Sequence, residues 1–134
     1  GLNRLGFDHV PRRAVRAEEM LPAVAQGAIS IEHREGDTHI AEMLSALHHL
    51  PTGQAMACER AFLAKLDGSC QTPIAGLAEI DGGSLRLRGE ILRSDGSESL
   101  TDEMSGPVED GAAMGIEMAT KLLERAGSGF FDWK

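Results

Sequence analysis

The chain has 134 residues, 42% hydrophobic and 25% charged, with a net charge of −8. That length and balance suit one ordinary domain, or a small domain with an appendage, and allow a real core. The excess of acid argues against a nucleic-acid partner, and no apolar run approaches the ~20 residues of a membrane span. No charged-then-apolar leader is visible and the two cysteines have no paired spacing, so a soluble, cytoplasmic protein in a reducing compartment is expected.

In chain order, Gly1-Leu2-Asn3-Arg4-Leu5-Gly6 reads as a turn or helix end, and residues 7–19 carry three arginines and Pro11 without a period, hence loop. Ile29 and Ile31 alternate with polar residues over a short strand at 28–33. No hairpin neighbour follows it, so its sheet is expected elsewhere. Asp37 or Thr38 can cap a helix whose Ile40, Met43, Leu44 and Leu47 follow i, i+3, i+4, i+7, with Pro51 closing it. Thr52 then caps a second helix carrying Ala55, Cys58, Phe62, Leu63 and Leu66 on one side.

Gly68 is expected to stop that helix in a left-handed conformation, and Pro73 cannot continue it. Ile74, Gly76, Ala78 and Ile80 alternate as a strand, Asp81-Gly82-Gly83 turns, and Leu85, Leu87, Gly89 and Ile91 alternate against Arg86, Arg88 and Glu90. After Ser94-Asp95-Gly96, a weaker third strand runs over 98–105 with Leu100 and Met104 inward. Pro107 opens a last helix to about Arg125, burying Ala112, Gly115, Ile116, Ala119, Leu122 and Leu123, and Gly127 follows its end. The tail Phe130-Phe131-Asp132-Trp133 has no period.

The expected fold is therefore α+β: a two-layer domain in which a three-stranded antiparallel sheet is covered on one face by three helices. A partial segment belonging to neighbouring domains precedes it.

Cys70 is the residue to explain, since it stands on a short loop between two rigid elements, where chemistry is often placed. It follows a helix C-terminus, with Asp67 close by, and both oppose a thiolate. A permanent attachment point suits it better than a turnover nucleophile, and an idle thiol is the plain alternative. Adjacent His48 and His49 point about 100° apart on a helix, and His33 and His39 straddle a turn without a third ligand, so no metal site is expected. Arg86, Arg88 and Arg93 read as a solvated strand face, and Arg12, Arg13 and Arg16 as surface arginines.

Gly68-Ser69-Cys70-Gln71-Thr72-Pro73-Ile74 resembles the cofactor loop of the porphobilinogen deaminase (hydroxymethylbilane synthase) family, G-G-C-Q-V-P-I. In family order, Gly1-Leu2-Asn3-Arg4-Leu5-Gly6 is similar to G-L-x-R-L-G, Leu21-Pro22-Ala23-Val24-Ala25-Gln26-Gly27-Ala28 to L-P-A-V-G-Q-G-A, and Cys58-Glu59-Arg60-Ala61-Phe62-Leu63 to A-E-R-A-F-L. The resemblance implies that residues 1–36 are the end of a second domain and the return strand of a first, and that 37–134 are a third, cofactor-anchoring domain. It implies that Cys70 holds a dipyrromethane cofactor by a thioether, that Arg4 holds cofactor or substrate carboxylates, and that Gln26 and Gly27 form the inter-domain crossing beside the cofactor.

The implied activity is a transferase reaction of tetrapyrrole and haem biosynthesis, in which four porphobilinogen molecules are condensed onto the cofactor with loss of ammonia. The implied partners are porphobilinogen and the growing linear tetrapyrrole, on a full-length enzyme that is monomeric. The family's catalytic aspartate matches nothing here, so no catalytic residue is assigned and the 134 residues are expected to be inactive alone. Departures from the family pattern are Ala25 for glycine, Ser69 for glycine and His33 where a cysteine is frequent. The rival readings are a non-catalytic cofactor-binding or scaffold module, and an enzyme that uses Cys70 directly as its nucleophile.

Overall fold

A computed structural model describes residues 2–68 and 72–131. Three helices, α1 (Thr38–Ser45), α2 (Leu50–Lys65) and α3 (Gly111–Ala126), accompany three strands, β1 (Ile74–Asp81), β2 (Ser84–Leu92) and β3 (Ser99–Pro107). The sheet is antiparallel in the order β1-β2-β3, so the α+β architecture is as expected.

Strict alternation along β1 and β2 puts Ala78, Leu85, Leu87 and Ile91 into one buried layer. The turn between them is two residues long, Gly82 at φ 53° and Gly83 at φ 87°, a sign that only glycine adopts cheaply at both positions. Onto this face α2 lays Ala55, Cys58 and Phe62, followed by Leu66 at its C-cap, and α3 lays Met114, Met118, Ala119 and Leu122. Phe62 lies across the paired glycines Gly76 and Gly89, filling space that two side chains would otherwise occupy. The two helices touch through Gly115, where an added Cβ would fall 2.3 Å from Cys58 O.

Several local expectations are corrected. Pro51 does not close the first helix; it sits in the first turn of α2, where its missing N–H costs nothing. Pro107 ends β3, and a 3-10 turn (Val108–Asp110) intervenes before α3. The buried stripe of α3 takes in Met114 and Met118 and leaves Ile116 and Ala112 exposed, because the face that packs on the core runs through Gly111, Met114, Gly115, Met118, Ala119 and Leu122. The strand expected at 28–33 does not form: Ile29 is 94% exposed, since no sheet edge lies beside it to accept its hydrogen bonds. The amphipathic α1 buries none of its residues, and Met43 and Leu47 face solvent.

Two further readings change through the tail. Phe130 and Phe131 belong to the core, meeting edge to face at 5.1 Å between ring centres. Arg93, expected on a solvated face, holds that tail in place: its guanidinium stacks 4.8 Å over Phe130 and donates Nη1 to Gly129 O at 3.0 Å. Arg88 is also buried, bonded through Nη2 to Glu79 Oε2 at 2.8 Å.

Candidate functional site

Cys70, with Ser69 and Gln71, lies outside the described residues, but both ends of its loop are fixed. At the helix end, Gly68 N donates to Leu63 O and Asp67 N to Ala64 O, both at 3.1 Å, the nested pair that finishes a helix around one left-handed residue. That residue is Asp67, at φ 57°, and not Gly68 as expected; aspartate is among the few side chains that tolerate the conformation. Gly68 is closely packed instead, since a Cβ there would lie 2.5 Å from Leu63 Cδ1 and 2.7 Å from Ile74 Cδ1, and both side-chain ends would have to shift. At the strand end, Ile74 N closes a tight turn on Thr72 O at 2.8 Å, and Leu92 N donates to Pro73 O at 3.0 Å. The same Cβ would stand 3.2 Å from Thr72 Oγ1, so the two ends of the loop meet.

The second motif runs beside β1. Ala23 bridges Ala75, and Gly76 N donates to Pro22 O at 3.0 Å, so this segment borders the otherwise open edge of the sheet. It then leaves through two overlapping turns, Gln26 N to Ala23 O and Ala28 N to Ala25 O, whose third residues are Ala25 at φ 61° and Gly27 at φ 86°. Gln26 is exposed and its side chain accepts from Ala23 N at 3.3 Å. Gln26 and Gly27 thus shape the turns by which this segment leaves the sheet edge. Arg4 is exposed in the turns over residues 2–6, and no hydrogen bond or ion pair joins it to the crossing or to the loop ends among the described residues.

Glu59 was legible only as part of a motif, yet it connects these parts. It is 2% exposed, and its Oε1 accepts from Ala78 N at 2.8 Å while Oε2 accepts from Ala25 N at 2.7 Å. Burial pushes its carboxyl above the ordinary glutamate value, and the two amides oppose that rise. The available signal was spacing: Ala55, Cys58, Glu59, Phe62 and Leu66 follow i, i+3, i+4, i+7, i+11, which places an acid on the apolar stripe.

Cys58 is a free, fully buried thiol. Burial and then the charge of Glu59 push its pKa up to about 11, while a backbone hydrogen bond at Gly115 acts the other way. It is inert as a nucleophile. A concavity of about 400 Å³ lies on the other face of the sheet between residues 17–21 and β2 and β3. Glu18, Glu19, Glu90, Asp102 and Glu103 line it around Arg88, which suits no anionic ligand, and it touches neither the loop ends nor the crossing. No three His, Cys, Asp or Glu side chains gather as a metal set among the described residues.

Comparison with known proteins bears on the same two motifs. Residues 54–124 match the family model described as porphobilinogen deaminase, C-terminal domain, and residues 1–42 match porphobilinogen deaminase, dipyromethane cofactor binding domain. A porphobilinogen deaminase of Paracoccus denitrificans (strain Pd 1222) is 58% identical over 133 residues, 99% of this chain, and one of Nitrobacter hamburgensis is 44% identical over 131 residues. The chain spans 42% of the length of each of these relatives. With one model covering more than half of its residues and both models following the order of its motifs, the chain belongs to the porphobilinogen deaminase family.

Proposed function

We propose that this chain is the cofactor-anchoring part of a hydroxymethylbilane synthase, with Cys70 as the point of covalent attachment. The observation that carries it is the fixed frame around the loop: a capped helix end, a strand start and a glycine packed among Leu63, Thr72 and Ile74, all converging where the family motif puts its cysteine. The fit to a thioether-linked dipyrromethane is supported by the other thiol, since Cys58 is wholly buried and unavailable, leaving Cys70 to receive it.

When bound, the dipyrromethane supplies the pyrrole carbon on which four porphobilinogen units are condensed with loss of ammonia before water releases the linear tetrapyrrole. The residues of this chain hold and orient. Asp67 and Gly68 end α2 so that the loop starts at a fixed place, and Thr72 and Pro73 return it to β1. Arg4, exposed and positively charged, is assigned to the carboxylates of cofactor or substrate, and Gln26 and Gly27 form the crossing between residues 1–36 and the third domain, 37–134. The working protein is read as a cytoplasmic monomer, as the family resemblance implies. Because the chain spans 42% of its relatives' length, it does not turn over porphobilinogen by itself.

The test is a peptide map of the protein that carries this chain, purified from cells making porphobilinogen. The Cys70 peptide is expected to carry the mass of a dipyrromethane, and Cys70→Ser to lose that mass together with ammonia release from porphobilinogen. An unmodified Cys70 in a protein that still releases ammonia overturns the assignment. The purified 134-residue chain is expected to release none, and release by it would refute its inactivity.

A further inference from the structure

β1 is an edge strand, and its outward N–H groups at Gly76 and Ala78 require acceptors that no fourth strand among the described residues supplies. The crossing segment provides one, Pro22 O for Gly76 N at 3.0 Å. Beyond that bond the segment turns away, and the next acceptor is Glu59 Oε1, which takes Ala78 N at 2.8 Å as a strand carbonyl would. The second oxygen of the same carboxylate takes Ala25 N at 2.7 Å, at the residue whose positive φ starts the departure from the sheet. Val24 closes the contact on the other side, since a Cβ at Gly76 would lie 3.2 Å from Val24 Cγ2.

We infer that Glu59 is a positioning residue, a buried carboxylate clamp that fixes the inter-domain crossing at residues 22–27 to both α2 and β1. No other side chain serves both bonds. Two donors converge from separate segments, and an ionised carboxylate offers acceptors only, whereas an amide would turn an N–H toward one of them. Leaving either amide unpaired away from water is costly, so beyond the Pro22 bond the crossing's place on the domain depends on this one group. Glu59 rides on α2, whose end begins the Cys70 loop, and binds β1, whose start ends it. The clamp therefore ties the crossing to both elements that frame the loop. Its bearing on catalysis rests on the function proposed above; the clamp itself rests on these contacts.

The experiment is amide NMR on the 134-residue chain, with Glu59→Gln and Glu59→Asp as variants. In the wild-type chain, couplings across the hydrogen bonds are expected from the Glu59 carboxyl carbon to the nitrogens of both Ala25 and Ala78. In Glu59→Gln, exchange protection at Ala25 is expected to fall at least about tenfold further than at Leu87 in the sheet centre, a difference of about 1.4 kcal/mol, with Glu59→Asp between the two. A coupling to Ala78 without one to Ala25, or an equal loss of protection at Ala25 and Leu87, would overturn the clamp. Should Glu59→Gln not fold, the wild-type couplings decide alone. None of these readouts depends on Cys70, so a chain that never carries the cofactor still tests the clamp, while the peptide map tests the function.

Discussion

Replacing Gly115 by alanine should destabilise the chain, although alanine is ordinarily the better helix former. Gly115 lies where α3 crosses α2, and the added Cβ would stand 2.3 Å from Cys58 O, 2.9 Å from Phe62 N and 3.3 Å from Ala61 Cβ. Ordinary contact begins near 3.4 Å, so α2 and α3 must part by about 1 Å. Two of the three obstacles are backbone, which cannot swing aside. Overpacking of this kind costs about 1–3 kcal/mol, and the separation also loosens Phe62 and Leu122 beneath it. The helix-propensity gain of about 0.8–1 kcal/mol returns only part of that. A net loss of about 1–2 kcal/mol is expected, read as a lower urea midpoint at unchanged slope. Gly53→Ala is the matched control: its Cβ would meet only the His48 ring, at 2.6 Å, a flexible side chain at the surface that can rotate away. That variant should be neutral or more stable by up to about 1 kcal/mol. If Gly115→Ala is as stable as wild type, the helix contact is not where the geometry puts it.

Ala25→Gly should stabilise the chain or leave it unchanged despite glycine's entropic cost, because relief of the φ 61° strain offsets about 1 kcal/mol; a midpoint lowered by more than that would show that Ala25 is unstrained. Phe62→Ala, which empties the space over Gly76 and Gly89, is expected to cost about 3–5 kcal/mol and to abolish the cooperative urea transition. Cys58 should resist iodoacetamide at pH 8 in the folded chain and react readily in urea; fast labelling of the native chain would contradict its burial. Its pKa also sets a sign. The unfolded thiol ionises near 9 and the folded one at about 11, so the unfolded state loses its proton first and stability falls as pH rises through that window. Cys58→Ala should make that slope shallower, as followed by denaturation midpoints across the same pH range.

Much of the fold is local, which is why the chain itself announces it. Alternation at 74–80 and 85–91 and the glycine pair between them specify a hairpin with one apolar face, because a strand's two faces follow from counting by twos. The motif around Cys70 and the helix before it were equally readable. What counting could not supply was decided by groups far apart in sequence. Pro51 could as well end one helix as begin the next, and only packing of α2 on the sheet selects the second. Gly68 was the obvious left-handed residue, yet Asp67 takes the turn and Gly68 packs between Leu63 and Ile74. Ile29 and Ile31 alternate like a strand but find no edge, since the edge of β1 is taken by residues 22–23 and by Glu59. Glu59 stands on the apolar stripe of its helix, but its partners, the amides of Ala25 and Ala78, meet it only in the fold. A buried carboxylate is stable only where donors converge on it, and convergence is a property of the folded chain and not of any stretch within it.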